Sequence, residues 1–144
     1  MAFQLPDPAT PFGQQVAKRL QEETVIWLTT VDSKGTPQPA PVWYWWDEEK
    51  KNILIYSMNS AKRHKHLRAN PRVSVNLDGD KQGGDIIVLT GKAIFSEDDP
   101  PAHEHQPFVE KYDARIKSLF GEPKVFADRF SVKLRIELSS IRGQ

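Results

Sequence analysis

The chain of 144 residues contains no cysteine. That absence excludes disulfide bonds, zinc–thiolate sites, thiol nucleophiles and cysteine-ligated iron–sulfur clusters. No apolar run reaches the roughly 18 residues that a membrane-spanning helix needs. The first residues also lack the basic and then apolar order of a secretory signal peptide. We therefore expect a cytoplasmic protein with no membrane partner.

The sequence has no excess of either charge, because 20 lysines and arginines face 19 acidic residues and the formal net charge is +1. No strong global field therefore recruits nucleic acid or an anionic membrane, and any basic surface must be local. The length suits one domain with a hydrophobic core. We assign the proline-rich residues 1–10 to an irregular arm and residues 11–144 to a single domain.

Motifs for hydrolysis by an internal nucleophile are also missing. There is no G-x-S-x-G sequence, no glycine-rich phosphate loop and no convincing carboxylate pair. His64 and His66 are two residues apart, a spacing that puts them on different helix faces, and we interpret His103 and His105 as exposed charge in an acidic loop. We predict no metal site, so an enzyme with this sequence would depend on a cofactor for its chemistry.

Hydrophobic periodicity predicts a mainly β protein with interspersed helices. Thr10-Pro11 suits the start of a helix over 11–22, since threonine caps helices and proline is tolerated in their first turn. The six predicted strands span 24–31, 39–46, 53–57, 73–77, 85–95 and 131–138. Further helices are predicted over 60–69, over 108–120 and from Glu122-Pro123 onward. Short strands in this antiparallel order indicate a closed or partly closed β-barrel.

The segment from Asn59 to Leu77 contains no acidic residue. Its basic residues are Lys62, Arg63, Lys65, Arg68 and Arg72. A helix start flanked by such residues favours an anion, and the hydroxyls of Ser57 and Ser60 can add donors. A solvated basic face is an equally good interpretation, whereas a nucleic-acid patch fits the near-neutral total charge less well.

The predicted strand 39–46 is unusually aromatic, with Trp43, Tyr44, Trp45 and Trp46 in succession. A planar cofactor ring lying along it would make offset stacking contacts. Prolines 37, 39 and 41 cannot donate ladder hydrogen bonds, which places the first half of the segment on a sheet edge or beside a ligand. The alternative, which we favour for Trp45 and Trp46, is that the aromatic rings fill a barrel core or a dimer interface.

Several blocks of the chain resemble the pyridoxamine-phosphate-oxidase-like superfamily of flavin-binding split barrels. The main block is 55–75, which runs from a strand through the basic helix to Asn-Pro-Arg-Val; the others are 24–31, 35–43 and 83–91. The resemblance covers about residues 12–142. Within the superfamily, Trp27-Leu-Thr-Thr, Leu77-Asp-Gly-Asp80 and Ser140-Ile-Arg-Gly are similar to the branch described as deazaflavin (coenzyme F420) dependent reductases.

The resemblance implies a six-stranded antiparallel split barrel that forms a homodimer, with the cofactor at the subunit interface. It implies phosphate contacts from Lys62, Arg63 and Lys65, near Ala61. It places Tyr56 and Ser57 along the ribityl chain and phosphate, and Pro41, Val42 and Trp43 beside the ring. Asp85, on the strand facing the partner, would approach from the other subunit.

The chain also departs from the true pyridoxamine phosphate oxidases. Ala40 and Trp45 stand where those enzymes carry an arginine and a lysine in the second strand, and the arginine-rich C-terminal substrate motif is absent. Vitamin B6 is therefore not the expected substrate. The expected activity is hydride transfer to or from a small organic molecule, with F420 favoured and FMN open. The alternatives are an FMN-dependent oxidase or reductase and a non-catalytic module that binds a flavin or haem.

Overall fold

The structure is a computed structural model that describes residues 3–144. It consists of a seven-stranded antiparallel sheet and four α-helices. The strands are β1 (Ile26–Val31), β2 (Pro37–Val42), β3 (Trp45–Asp47), β4 (Asn52–Ser57), β5 (Arg72–Asn76), β6 (Ile87–Phe95) and β7 (Val132–Gly143). The helices are α1 (Pro11–Glu22), α2 (Arg63–Ala69), α3 (Gln106–Phe120) and α4 (Pro123–Arg129), and a 3-10 turn (Ala102–Glu104) precedes α3.

The strands follow the order β2-β1-β5-β6-β7-β4-β3, so β2 and β3 are the two edges of the sheet. Only Trp43 and Tyr44 separate these edge strands along the chain. A sheet whose two edges are joined by two residues must curl until those edges approach each other. The result is a split β-barrel, which confirms the predicted fold class.

The number of strands differs from the prediction, because the expected strand 39–46 is two strands. The chain leaves the β1 ladder after Val42, and the backbone N–H of Tyr44 donates to the Tyr112 hydroxyl at 2.8 Å instead of to a strand. The chain then pairs again, antiparallel to β4. A side chain of α3 thus takes the place of a ladder partner at the turn from one edge to the other.

The prolines of β2 lie on a sheet edge, as predicted. Residues 37, 39 and 41 lack an N–H, yet β2 pairs with β1 along its whole length. The N–H donors of that ladder must therefore come from Gln38, Ala40 and Val42. Neighbouring residues of a strand point their polar groups to opposite sides, so the prolines face away from β1.

Helix α1 and strand β7 follow the predicted patterns. The Thr10 side chain accepts a hydrogen bond from Gly13 N–H, and Val16 and Leu20 of α1 are fully buried. Strand β7 is longer than predicted and continues to Gly143. Gly91 lies at a register shift between β6 and β7, where an added Cβ would lie 2.0 Å from the Glu137 carbonyl oxygen.

Two predicted local details are wrong. Helix α2 begins at Arg63 and not at Ser60, because Met58 to Ala61 form a turn closed by a 3.0 Å bond from Ala61 N–H to the Met58 carbonyl. Asp85 precedes strand β6 in a left-handed conformation with φ 55°, which cannot continue a strand.

Apolar side chains form two clusters on opposite sides of β4. Ile53 and Ile55 belong to the cluster inside the barrel, whereas Leu54 and Tyr56 pack against α3 and α4. This alternation follows from the two-residue period of a strand. Strand β4 is therefore buried on both faces, and the turn after it ends beside the helices.

The predicted arm 1–10 starts with two residues that lie outside the described range. Residues 3–10 contain no helix or strand, and Phe3 and Leu5 pack against the barrel cluster. Within residues 3–144, no helix combines the length and the apolar character required to cross a lipid bilayer.

Candidate functional site

A cavity of about 480 Å³ opens where the ends of β2 and β4 meet the turn before α2 and the two C-terminal helices. Its walls are largely apolar, with polar groups gathered where β4 leads into the turn. Its lining residues are Pro41, Val42, Trp43, Tyr56, Ser57, Met58, Ser60, Ala61, Arg63, Phe120, Phe126 and Phe130.

Seven of the ten residues predicted for a cofactor site line this cavity together. They are Pro41, Val42, Trp43, Tyr56, Ser57, Ala61 and Arg63. Lys62 and Lys65 instead line a neighbouring surface pocket of about 510 Å³, beside Lys34 and Asp32. Asp85 lies at neither place, and its carboxylate accepts a 2.9 Å hydrogen bond from the side-chain amide of Gln15.

The polar end of the cavity is formed by Ser57 and Arg63, and His64 contacts Ser57 without lining the cavity. The Arg63 guanidinium donates to Ser57 Oγ at 2.8 Å, and His64 Nε2 lies 2.8 Å from the same oxygen. Burial lowers the pKa of Arg63. Among the described residues, no carboxylate forms an ion pair with it. A half-buried guanidinium without an acidic partner is prepared for an anionic ligand.

The apolar wall is an aromatic cluster contributed mostly by α3, α4 and Trp43. The Trp43 ring lies nearly parallel to Tyr112 at a centroid distance of 4.5 Å and to Phe126 at 5.3 Å. It therefore packs against protein rings as well as lining the cavity. The hydroxyl of Tyr56 donates to the Pro100 carbonyl at 2.8 Å, and burial raises its pKa. At neutral pH that hydroxyl therefore keeps its proton and its hydrogen bond to the Pro100 carbonyl.

Sequence reasoning missed the contribution of Phe120, Phe126 and Phe130. Their spacing in the C-terminal helices indicates that they are buried, which the second cluster confirms for Phe126. The spacing does not reveal which surface they cover, because that depends on how α3 and α4 pack against β4. Trp46 is buried in the barrel cluster and Trp45 packs against the second, as the core-filling alternative predicts.

A buried ion cluster around Arg135 was also missed. Arg135 donates to Asp47 at 2.7 Å, to Asn52 at 2.8 Å and to both oxygens of Asp99 at 2.5 and 2.9 Å. The cluster joins β3, β4 and β7 to the loop after β6. Hydrogen bonds from Arg135 hold the pKa of Asp99 at about 2. Its residues do not line the cavity, so we assign it a structural role.

The interpretation of His105 as exposed charge is wrong. His105 is buried, and its Nδ1 accepts a 3.2 Å hydrogen bond from Phe108 N–H at the start of α3. Trp45 lies across it, edge to face. Within residues 3–144, no group of three histidine or acidic side chains is placed to hold a metal ion.

The fold and the cavity define a split β-barrel protein with one half-buried cationic group at the end of an aromatic-lined cavity. A comparison with protein-family models matches residues 12–141 to the family described as pyridoxamine 5'-phosphate oxidase. The chain belongs to this family. No curated protein matches the sequence closely enough to narrow that assignment.

Solved structures share the fold at low sequence identity. An F420 reductase is 22% identical with a TM-score of 0.66, covering 88% of this chain and 95% of its own. The conserved hypothetical protein Rv2991 from Mycobacterium tuberculosis is 19% identical with a TM-score of 0.64, and the match covers 97% of this chain and 88% of that protein. The haem-storage protein HutZ from Vibrio cholerae is 17% identical with a TM-score of 0.62, and the match covers 93% of this chain and 95% of HutZ.

Proposed function

We propose that this cavity holds coenzyme F420 or FMN, and that the protein is an oxidoreductase acting on a small organic molecule. The observation that carries the proposal is the half-buried Arg63 guanidinium. It bonds Ser57 at one end of an aromatic-lined cavity and has no acidic partner among the described residues. A ring bearing a phosphate on a short chain matches this distribution of polar and apolar groups.

The cavity passes a simple test of fit. Its volume of about 480 Å³ lies within the roughly 300–1,000 Å³ typical of ligand sites. Arg63 and the hydroxyl of Ser60 offer donors to a phosphate, with Ser57 beside them, and Pro41, Val42 and the aromatic wall offer apolar surface to a ring. Lys62 and Lys65 lie in the adjacent pocket, where they add positive potential at longer range.

The chemistry would come from the bound cofactor, which supplies or accepts a hydride. The chain's own residues would hold the phosphate, pack one side of the ring and limit water. Tyr56 is a poor candidate for a proton donor, because its hydroxyl donates to the Pro100 carbonyl and its pKa is raised. We therefore assign no side-chain acid or base to the reaction.

We further propose a homodimer, in which Asp85 of one subunit lies near the cofactor of the other. The support is the family and the fact that Asp85 does not line the cavity of its own subunit. We favour F420 over FMN because the sequence is similar to the F420-dependent branch. The cytoplasmic location stays a prediction from the sequence.

A haem site in this cavity has less support. Histidine is a common axial ligand of haem iron, and none lines the cavity in the described part of the chain. His64 contacts Ser57 Oγ but does not reach the cavity lining, and His105 caps the start of α3.

The proposal is tested by titrating the apo-protein with FMN, F420 and haem, following flavin fluorescence or haem absorbance. Submicromolar binding of F420 with weak FMN binding would support the favoured form, and the reverse would support an FMN protein. If a flavin binds, mixing the reduced complex with candidate acceptors shows whether hydride transfer to the acceptor restores the absorbance of the oxidised cofactor. Binding of neither flavin would refute the proposed function and leave the fold unaffected.

A further inference from the structure

The imidazole of His64 is buried beside the cavity, yet the proposed cofactor site does not use it. It projects from the first turn of α2 toward β4, where its Nε2 lies 2.8 Å from Ser57 Oγ. The same oxygen accepts the hydrogen bond from Arg63, and Ser57 is itself 1% exposed. One buried hydroxyl is therefore shared between a permanent cation and an imidazole, which can gain or lose a proton.

The donors and acceptors around Ser57 fix the direction of these bonds. Arg63 has only donors, so Ser57 Oγ accepts from it. The hydroxyl has one hydrogen, and among the described residues its only other polar neighbour is His64 Nε2. With neutral His64 protonated on Nδ1, Ser57 Oγ accepts from Arg63 and donates its hydrogen to Nε2. The opposite tautomer would leave a buried hydroxyl without an acceptor, which is costly.

The surroundings of His64 favour its neutral form in the free protein. Burial lowers its pKa, and the positive charges of Arg63 and Arg68 lower it further. The neighbouring strands supply no opposing charge: β4 contributes the Ser57 hydroxyl, and β6 contributes the Phe95 ring, edge-on at 6.2 Å. No carboxylate among the described residues shifts this pKa.

We propose that His64 sets the direction of the Ser57 hydroxyl and thereby controls how strongly the cavity binds a phosphate group. While His64 is neutral, the hydroxyl hydrogen of Ser57 is donated to Nε2, and the ligand is left with Arg63 and the Ser60 hydroxyl as donors. When His64 gains a proton, Nε2–H donates to Ser57 Oγ. The hydroxyl hydrogen is then free to donate to a phosphate oxygen, and the site has gained a positive charge.

This inference rests on the proposed function, because it requires a phosphate at the polar end of the cavity. Its consequence follows from linkage: if protonation of His64 strengthens phosphate binding, bound phosphate raises the pKa of His64 by the same coupling. The affinity for the phosphate ligand is then higher at pH values below the pKa of His64 and lower at pH values above it. A pKa rise of one unit corresponds to about a tenfold difference in dissociation constant.

The test measures the dissociation constant of FMN or F420, whichever binds more tightly, by fluorescence between about pH 5.5 and pH 8. The phosphate monoester of FMN also titrates in this range, so each value is compared with that of a His64→Gln variant. Glutamine can still bond Ser57 but does not titrate. Riboflavin, or the deazaflavin chromophore without phosphate, is the matched control ligand.

We expect the wild-type protein to gain about tenfold in affinity over the variant as the pH falls across this range. The phosphate-free ligand should show no such gain. In parallel, nitrogen-15 NMR of the histidine rings should show His64 protonated on Nδ1 at high pH, with a pKa that rises when the cofactor binds.

Three results would overturn the inference. An Nε2–H tautomer of neutral His64 would contradict the bond direction. A constant ratio of affinities between wild type and variant, with cofactor binding intact, would refute the control by His64 and leave the proposed function standing. Absence of flavin binding at every pH would refute both.

Discussion

The backbone N–H of Tyr44 donates a 2.8 Å hydrogen bond to the hydroxyl of Tyr112, and that hydroxyl donates in turn to the Thr24 carbonyl at 2.7 Å. One side chain of α3 therefore holds both the break between β2 and β3 and the segment before β1. Trp43, which precedes the break, stacks on the same tyrosine. The position of the cavity wall thus depends on this contact.

Replacing Tyr112 with phenylalanine should destabilise the fold. The change keeps the stacked ring but leaves the N–H of buried Tyr44 without a partner, at a cost of about 1–3 kcal/mol. Urea denaturation gives the free energy of unfolding. Tyr56→Phe is the matched control, because it removes only one bond to a carbonyl and should cost nearer 1 kcal/mol. An equal loss of unfolding free energy in the two variants would contradict the extra cost that we assign to the unpaired N–H of Tyr44.

Arg63→Ala should weaken cofactor binding more than Lys62→Ala does. Arg63 lines the cavity, where a charge-assisted hydrogen bond contributes about 1.5–3 kcal/mol. Lys62 lines the neighbouring pocket and acts at longer range. The variant that combines Lys62→Ala with Arg63→Ala should lose roughly 2–5 kcal/mol of cofactor-binding free energy. Fluorescence titration measures these effects, with exposed Lys18→Ala on α1 as the control, and an unchanged affinity of the Arg63 variant would exclude the phosphate contact.

The ion cluster of Arg135 predicts a specific loss of stability in acid. The folded pKa of Asp99 is about 2, below its ordinary 3.8, so its contribution is complete above pH 3.8 and disappears as the pH falls toward 2. The difference corresponds to about 2 kcal/mol. The free energy of unfolding of wild type should fall more steeply than that of Asp99→Asn over this range. Parallel pH profiles would show that Asp99 is not coupled to folding.

Gly91→Ala should be strongly destabilising. The new methyl group would lie 2.0 Å from the Glu137 carbonyl, in a region where two strands must stay paired, so β6 and β7 must separate locally. Overpacking of this kind costs about 1–3 kcal/mol or more. Gly35→Ala is a useful control, since φ is +82° there but the surrounding space is open. Thermal denaturation should show the larger loss at position 91.

Most of the fold could be predicted from the sequence, because local signals and tertiary structure agree. The strict alternation of Val132, Leu134, Ile136 and Leu138 identifies a strand on its own, and the structure confirms it. The split at Trp43 could not be predicted, since it depends on a hydroxyl from α3 that lies 68 residues away. No feature of the sequence around Trp43 distinguishes a strand that ends at this position from one that continues through it.

The candidate site was only partly predictable, for the same reason. The basic segment and the family resemblance pointed to Arg63 and Ser57, which the structure places in one cavity. They also pointed to Lys62 and Lys65, which the helical turn directs to a different surface. The pairing of His64 with Ser57 needs the packing of α2 against β4, and a spacing of seven residues does not specify it.

The prolines of β2 have a consequence for how copies of the protein can meet. The free side of this edge presents carbonyl oxygens at 37, 39 and 41 but no N–H groups between them. A strand arriving from another molecule would find acceptors without donors, so it could not extend the sheet in register. Growth of the sheet into fibrils is therefore blocked at the β2 edge, and association between copies has to use another surface of the protein.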